Sequence, residues 1–425
     1  MLAAAVLPAT GASSATARSD LPGRSGLAGW RQTVTVDHDA FTALLSPPGD
    51  AVLAAACASY RPGGELPLVA SLRHTYDAAL VTAAVTQAAL RHRAVAKFGP
   101  DAAVMYFTPD GLEQATRAPV AAHRARRIAL MLPSATVIDL GCGIGGDLIA
   151  LARAGLRCAA VERDPLTAAV ARANLSALGL AGPVSAGEAE TAALTSYDVV
   201  FADPARRADG RRVFDVDAYS PPWSFVTAVL SRTACVKVAP GIPHAAVPAG
   251  VEAEWVSHGG EVKEAALWSG SLSGPAVRRR ATLLPSGTTV TDADAGDSSV
   301  APVGRYVYEP DGAVIRAGLV TAVCRAVGGW LLDPRIAYVT GDALVATPLA
   351  SAYEVIEVLP YQEKVLRAWA RSRGVGTLEI KKRGVDVEPS ALRKRLSPKG
   401  SESATLIVTR IGRDAVVYAC RRVSG

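Results

Sequence analysis

The sequence predicts an α/β fold, a doubly wound parallel sheet that follows a helical region and precedes a second, smaller α/β unit. Over residues 134–270, short apolar segments alternate with helical patterns, which is the order of parallel strands joined by crossover helices. The first apolar segment ends in a glycine-rich turn, as at the ligand site of such sheets. The last two apolar segments have no long helix between them, so they predict an antiparallel pair.

Length and composition allow several folded domains. The chain has 425 residues, half of them hydrophobic, which is enough for two or three cores. Its six cysteines are scattered without a Cys-x-x-Cys pair or a His/Cys cluster, which argues against a disulfide framework and against a zinc site. No apolar run reaches the length of a membrane span. We therefore expect a cytoplasmic protein that binds no metal and no membrane.

The N-terminal third is predicted to be helical after a disordered leader. Residues 1–30 form the expected leader; they begin with small apolar residues but lack the basic start and long apolar core of a secretory signal, so secretion is the weaker alternative. Residues 31–132 form the expected helical domain, and residues 105–116 within it are expected to be extended and to turn at Pro109-Asp110-Gly111. Helices are predicted over residues 41–45, 51–60, 68–74, 76–92 and 114–132.

The predicted sheet domain spans residues 133–275, and residues 276–302 predict a linker or an edge segment. Strands are expected over residues 136–140, 158–162, 183–186, 198–202, 234–239, 252–257 and 264–269. Helices are expected over residues 147–154, 165–178, 189–195 and 223–230.

Residues 303–425 predict the second α/β unit, and its end is basic. From residue 360 onward there are 15 Lys/Arg and 6 Asp/Glu, whereas the whole chain has a net charge of only +6. Predicted helices cover residues 314–326, 363–372 and 388–395, and predicted strands cover residues 376–381, 404–411 and 415–421.

The glycine turn after the first strand predicts a ligand-binding loop. Gly141, Gly143 and Gly145 let the backbone turn sharply and let a ligand approach bare amides. Alone, this pattern also fits the G-x-G-x-x-G turn of dinucleotide-binding proteins. Asp139 argues against a dinucleotide and for a cationic ligand without phosphate, because a carboxylate facing the ligand repels a pyrophosphate.

An acidic residue ends the second predicted strand. Glu162 follows Gly141 by 21 positions, and a carboxylate there can accept hydrogen bonds from both hydroxyls of a ribose. The arrangement indicates a ligand that contains a nucleoside, and both nicotinamide dinucleotides and other adenosine ligands fit it. A solvated carboxylate at the strand end is the alternative.

The fourth predicted strand ends in Asp203-Pro204, where ligands collect in doubly wound sheets. Proline makes this corner rigid. The arginines that follow suit contacts to phosphates, with a solvated loop as the alternative. They are Arg206, Arg207, Arg211 and Arg212.

Basic residues elsewhere offer two further candidates. Lys237 lies inside an apolar strand, so it must find a partner or the edge of a cleft; it is a candidate substrate contact or a member of an ion pair with Glu261 or Glu264. Further on, Lys381, Lys382, Arg383 and residues 393–395 flank a short predicted helix. Such clusters are typical of RNA-binding surfaces, and a solvated basic face is the alternative.

The motifs at residues 139–143, 161–164, 203–207 and 378–384 together resemble a bacterial family of class I S-adenosylmethionine (SAM) methyltransferases with a C-terminal THUMP-like domain. The resemblance covers about residues 35–423. It implies a Rossmann-like fold, SAM as cofactor and, through the THUMP-like domain, RNA as substrate. Phe107-Thr108-Pro109 and Asp203-Pro204 are more distantly similar to RNA-cap guanine-N2 methyltransferases.

The resemblance also implies roles for individual residues. Asp203 and Pro204 would hold the target amino group, although Ala205 and Arg206 stand where the family motif has proline and an aromatic ring; Trp223 is an alternative source of that ring. Phe107 and Thr108 would lie over the SAM pocket and contact the substrate. Residues implied to bind SAM are Asp139, Gly141, Cys142, Gly143, Gly145, Glu162, Arg163, Glu188 and Ala189, with Glu190 as the alternative to Glu188.

The predicted function is SAM-dependent methyl transfer to a nitrogen of an RNA base. Three alternatives stay open: a SAM-binding RNA-binding or scaffold protein without catalysis, a methyltransferase that acts on protein or on a small molecule, and a dehydrogenase.

Overall fold

The computed structural model describes residues 38–206 and 219–423. The predicted leader and the predictions for Arg207, Arg211 and Arg212 lie outside these ranges. The chain divides into two compact units, residues 1–89 and residues 90–425.

The described part of the first unit is helical. It contains α1 (His38–Leu44), α2 (Pro47–Ser59), α3 (Glu65–Leu72) and most of α4 (Ala78–Phe98). The prediction that α2 begins only after the two prolines was wrong, because Pro47 and Pro48 form its first turn, where a missing N–H costs nothing. Gly49 is required there: a β-carbon would come within 2.2 Å of the Ala43 carbonyl oxygen.

No single helix in the described ranges is both long and apolar enough to cross a membrane. The pair α1 and α2 passes the test only when combined, and the two helices are bent by 85°.

In the second unit, two helices precede the first strand, where the sequence predicted one. They are α5 (Pro109–Gln114) and α6 (Ala118–Met131). The predicted turn at residues 109–111 is instead the first turn of α5, since the Thr108 hydroxyl accepts a hydrogen bond from the Gly111 N–H at 3.0 Å and caps the helix. Residues 115 and 117 are extended, and α6 starts anew with a proline in its first turn.

The predicted doubly wound sheet is confirmed, and it has nine strands. Every strand predicted over residues 133–275 is present, with ends within three residues. The strands are β1 (Thr136–Leu140), β2 (Arg157–Glu162), β3 (Val184–Ala186), β4 (Val199–Ala202), β5 (Ala205–Arg206), β6 (Tyr219–Ser220), β7 (Ala234–Val238), β8 (Glu252–His258), β9 (Glu261–Ser269), β10 (Arg279–Leu284) and β11 (Thr288–Thr291), of which β5 and β6 form a separate two-stranded ribbon.

The strand order is β11-β10-β8-β9-β7-β4-β1-β2-β3. Strands β7, β4, β1, β2 and β3 are parallel, and β9 lies antiparallel between β7 and β8, as the missing helix predicted. Strands β10 and β11, from the segment predicted to be a linker or an edge, extend the sheet beyond β8.

Three helices of the sheet domain match their predictions: α7 (Gly146–Arg153), α8 (Pro165–Ala177) and α9 (Trp223–Leu230). The helix predicted over residues 189–195 was wrong, since only single 3₁₀ turns form at Ala189–Thr191 and Leu194–Ser196. The Thr191 hydroxyl donates to the Glu188 carbonyl oxygen at 2.9 Å, a local bond that competes with helix formation.

The C-terminal part of the unit is a seven-stranded sheet with four helices. Strand order is β13-β14-β12-β15-β18-β17-β16, and the first four of these strands were not predicted. The elements are β12 (Tyr306–Pro310), α10 (Gly312–Arg316), α11 (Val320–Val327), β13 (Trp330–Asp333), β14 (Ile336–Gly341), β15 (Ala350–Pro360), α12 (Glu363–Ser372), β16 (Val375–Lys382), α13 (Pro389–Leu396), β17 (Glu402–Ile411) and β18 (Asp414–Val423).

One continuous core joins the two sheets. Val314 of α10 and Val323 of α11 pack in the same buried cluster as Trp255 of β8 and Val339 of β14. The single helix predicted over residues 314–326 was wrong, because Gly318, with a φ of +68°, ends α10 and lets α11 start in a new direction.

Candidate functional site

The glycine loop after β1, residues 141–145, has open space against its backbone, and we call this loop the cradle. Gly141, Gly143 and Gly145 have φ values of +78°, +56° and +88°, which favour glycine. The N–H groups of Gly141 and Cys142 donate to the Val161 carbonyl oxygen at 2.8 and 3.3 Å, which fixes the loop to β2. A β-carbon at Gly143 would meet no atom within 4 Å. A ligand can therefore approach the backbone of the loop there.

Asp139 lies in β1, two residues before the glycine loop, and its carboxylate is buried. The residue is 1% exposed, and neither carboxylate oxygen has a hydrogen-bond partner among the described residues. Burial, together with the carboxylates of Asp147 and Asp203, raises the pKa of Asp139 well above its ordinary range. Such a group is costly unless a ligand with a donor or a positive charge completes it.

Glu162 ties the end of β2 to the glycine loop. Its Oε2 accepts a hydrogen bond from the Gly143 N–H at 2.9 Å, and its Oε1 accepts one from the Asp164 N–H at 3.0 Å. A carboxylate has about four acceptor positions, so capacity remains for ribose hydroxyls. The exposed Arg163 and Glu188 follow β2 and β3 at the same edge of the sheet, and Ala189 starts the next turn.

Asp203 and Lys237 meet where the neighbouring strands β4 and β7 end. The Lys237 Nζ lies 2.5 Å from Asp203 Oδ2 and 3.0 Å from the Thr116 hydroxyl. The suggested alternative partners of Lys237 were wrong: Glu261 pairs with Lys263 and Glu264 pairs with an arginine of α6.

Around this pair, Pro204 is buried, and Arg206 lies in the short strand β5. Trp223 starts α9 and packs half-buried against the core.

The segment before the fold is clamped onto the glycine loop by Asn174, which the sequence did not single out. The Asn174 side chain accepts from the Tyr106 N–H at 2.6 Å and donates to the carbonyl oxygens of Tyr106 and Ile144 at 3.0 and 2.8 Å. Phe107 is fully buried against Phe98, with ring centroids 5.6 Å apart. Thr108 caps α5. These contacts account for Phe107 and Thr108 without a substrate, and their proposed role in substrate binding stays a prediction.

A buried arginine connects α6 to the site, and it too was missed. Arg124 is 2% exposed and forms ion pairs with Asp147, in the first turn of α7, and with Glu264 of β9. Although burial opposes its charge, the two carboxylates raise the pKa of Arg124, so it stays a cation. Arg124 also lies 4.9 Å from the ring centroid of Phe201 in β4. Sequence spacing offers no signal for this pair, because Arg124 and Glu264 are 140 residues apart.

The predicted basic triplet at residues 381–383 is divided between two faces of the second sheet. Leu378 and Ile380 of β16 face the core under α12 and α13. Because side chains alternate along a strand, Lys381 and Arg383 lie on the opposite face, and Lys382 lies on the helix side. Lys381 and Arg383 line a cleft of about 750 Å³ between the two sheets.

The cleft is bounded on the other side by the turns that follow β8 and β10. Strand β8 runs parallel to β7 and β4, so these turns lie at the edge of the sheet that also carries Asp203. Three strand spacings separate β8 from β4, about 15 Å. Within the cleft, Lys381 pairs with Glu309 at 2.7 Å, while Arg383 lies over the Tyr338 ring at 5.3 Å.

The cradle fits a cationic nucleoside. Glu162 contacts the open glycine loop with its carboxylate, and Asp139, two residues before the loop, has a carboxylate without a partner among the described residues that is suited to a positive charge nearby. A carboxylate at the end of β2 is suited to a ribose. SAM combines both features, since it is an adenosine that carries a sulfonium.

Comparisons with known proteins agree with this assignment. Residues 350–422 match the family described as THUMP domain-like, and residues 37–94 match a family described as a domain of unknown function. Two relatives from Mycobacterium tuberculosis, strains CDC 1551 / Oshkosh and ATCC 25618 / H37Rv, are both named uncharacterized S-adenosylmethionine-dependent methyltransferases. Each is 41% identical over 345 residues, which cover 78% of this chain and 94% of the relative.

A crystal structure from Porphyromonas gingivalis W83, of a protein assigned as a methyltransferase, has the same fold. The TM-score is 0.71 at 23% identity, over 88% of this chain and 99% of that one. The strand order and the level of identity to the mycobacterial relatives confirm the resemblance stated from the motifs. The chain belongs to the class I SAM-dependent methyltransferases with a C-terminal THUMP-like domain, and its cofactor is SAM.

Proposed function

We propose that this methyltransferase acts on a nitrogen of an RNA base. The observation that carries the proposal is the placement of the THUMP domain-like region, because its Lys381 and Arg383 line a cleft at the edge of the sheet that also carries Asp203. A nucleic acid that enters this cleft could reach the cradle along one edge of the sheet. The family resemblance supports RNA as the substrate class.

The protein mainly has to place an acceptor nitrogen correctly. SAM supplies an electrophilic methyl group when it is bound. Asp203, at the end of β4, accepts an N–H bond from the target and turns the nitrogen lone pair toward the cradle. Holding the lone pair in line at near-attack distance removes most of the entropic barrier to the reaction. Pro204 keeps the carboxylate at a fixed corner.

The proposal is tested by transfer of labelled methyl groups from SAM to total RNA from cells that lack the gene, and separately to their protein. We expect incorporation into RNA, with the label recovered in an N-methylated nucleoside. Incorporation only into protein would contradict the RNA assignment. Measurable affinity for SAM with no transfer would favour a scaffold protein.

The role of Asp203 is tested in the same assay. We expect Asp203→Ala to lower kcat by about 100-fold, as for the loss of one preorganised hydrogen bond to the reacting group, with SAM affinity retained. Affinity for SAM is measured by calorimetry and serves as the control for folding. Unchanged methyl transfer in Asp203→Ala would contradict the proposed role of Asp203.

A further inference from the structure

Lys237 joins three separate segments around Asp203. It projects from β7, its side chain is 16% exposed, and its Nζ contacts Asp203 Oδ2 after β4 and the Thr116 hydroxyl before α6. Thr116 is 8% exposed, so this hydroxyl is also buried. The ammonium of Lys237 therefore donates two hydrogen bonds, one to the Asp203 carboxylate and one to the Thr116 hydroxyl, and the second bond orients the ammonium.

The surroundings keep Lys237 charged. Burial lowers the pKa of its amine, as does the cationic Arg124 of α6, but the carboxylates of Asp203, Asp147 and Glu264 outweigh them and raise it. Lys97 of α4 is the other nearby amine, and its own pKa is lowered, by burial first and by Arg117 and Lys237 next. Lys237 is therefore an ammonium at neutral pH and cannot take a proton from the substrate.

We propose that Lys237 and Thr116 are positioning residues that hold Asp203 as a hydrogen-bond acceptor and thereby select acceptor groups that carry an N–H. The inference rests on the proposed transfer to nitrogen. Because the ammonium occupies Oδ2, the second oxygen of Asp203 is left for the target. An amino or amide N–H donates to this oxygen, whereas a carboxylate or a carbonyl oxygen meets it as a second acceptor and is repelled.

The chemical step agrees with these roles. The nitrogen lone pair forms the new N–CH₃ bond, the S–CH₃ bond breaks with its electron pair on sulfur, and the extra proton on nitrogen passes to water. Asp203 accepts the N–H bond throughout, and Lys237 keeps its proton. Neither residue needs to change its protonation state for the step to balance.

The first test compares the variants Lys237→Met, Lys237→Arg and Thr116→Val in methyl transfer to RNA. We expect Lys237→Met to lower kcat by about 10- to 100-fold, the cost of misplacing a group that orients the substrate, Thr116→Val to lower it less, and Lys237→Arg to recover part of the loss. Affinity for SAM should be retained, since the side chains of Lys237 and Thr116 bond to each other and to Asp203.

Lys263→Met is the matched control. Lys263 lies in the neighbouring strand β9 and, among the described residues, pairs with Glu261 of its own strand, so the same chemical change should leave kcat as in the wild type. Equal losses in Lys237→Met and Lys263→Met would overturn the proposal. Unchanged kcat in Lys237→Met would overturn it as well.

A second readout does not depend on the acceptor, so it separates this inference from the RNA assignment. Carbodiimide-driven coupling of glycine ethyl ester labels accessible carboxyl groups, and peptide mass spectrometry reports the labelling of Asp203. We expect Lys237→Met to label Asp203 several-fold faster than the wild type, since the ammonium that covers Oδ2 is then absent, and Lys263→Met to label it at the wild-type rate. Equal labelling in all three proteins would overturn the proposal even where RNA is methylated. Faster labelling without transfer to RNA would support it and would reject only the RNA assignment.

Discussion

At the scale of one residue, Asp139 belongs to the cofactor site and destabilises the folded protein. Its carboxylate is buried without a partner in the described part of the protein, and burial raises its pKa well above the ordinary range. A raised pKa means that the folded protein holds the proton more tightly, so this residue destabilises the fold increasingly as pH rises from about 4 toward the folded pKa. This unpartnered carboxylate lies two residues before the glycine loop, where a bound cation can offset the cost of its burial.

We expect Asp139→Asn to raise the melting temperature of the cofactor-free protein at pH 7 by about 2 °C and to weaken the binding of SAM. The gain should fade as pH is lowered toward 4, where the wild-type carboxyl group is protonated in both states. Thermal melts at several pH values and calorimetry with SAM measure the two effects.

The control for this prediction is Asp198→Asn, at the opposite end of the same strands. Asp198 accepts hydrogen bonds from the N–H and hydroxyl of Thr136, and these bonds lower its pKa. Its contribution to stability is therefore lost as pH falls, so this variant should lower the melting temperature at pH 7 and leave SAM binding unchanged. A lower melting temperature in Asp139→Asn, with SAM binding intact, would contradict our account of Asp139.

At the scale of elements, Asn174 of α8 fixes the segment before the sheet domain to the glycine loop. Its fully buried amide makes three hydrogen bonds, two with the backbone of Tyr106 and one with that of Ile144. Asn174→Ala removes these three hydrogen bonds at a buried position, and we expect it to lower the free energy of unfolding by about 2–3 kcal/mol. It should also increase hydrogen exchange over residues 105–116.

Ser176→Ala is the control on the same helix, since Ser176 is exposed and its loss should change stability by less than about 0.5 kcal/mol. Chemical denaturation and hydrogen exchange measure both variants. If Asn174→Ala leaves exchange over residues 105–116 at the wild-type rate, the clamp does not hold this segment.

Elements also differ in how well the sequence predicts them. Strands β1, β4 and β7 are buried on both faces, so each is a short apolar run that stands out between polar turns. Strand β15 is mostly half-exposed, with only Tyr353 and Leu359 buried, so it lacks both an apolar run and a clear alternation. The end of α10 at Gly318 could not be predicted from the sequence either. The glycine lies inside an apolar helical pattern, and an isolated glycine is tolerated within helices.

At the scale of the molecule, the site depends on contacts that local patterns cannot predict. The carboxylates of the cradle, Asp139 and Glu162, were found because each lies within the last two residues of a strand whose end is visible in the sequence. The ion pairs of Arg124 with Asp147 and Glu264, and of Lys237 with Asp203, join residues 23 to 140 positions apart. The sequence showed the basic triplet at 381–383 as one cluster, but side chains alternate along β16 and so divide it between two faces. Two of its members reach the cleft only because the second sheet packs on α10 and β8.

This division of the triplet gives a prediction for the whole molecule. If RNA enters the cleft, Arg383→Ala should weaken binding to RNA of any sequence and reduce the slope of log affinity against log salt concentration by about 1, the effect of one lost phosphate contact. Lys364→Ala is the matched control, because Lys364 is exposed on α12, on the helix-covered face of the same sheet. Fluorescence anisotropy with labelled RNA at several salt concentrations measures both. An equal loss in the two variants would indicate a diffuse basic surface instead of the cleft, and an unchanged salt slope in Arg383→Ala would place the RNA elsewhere on the protein.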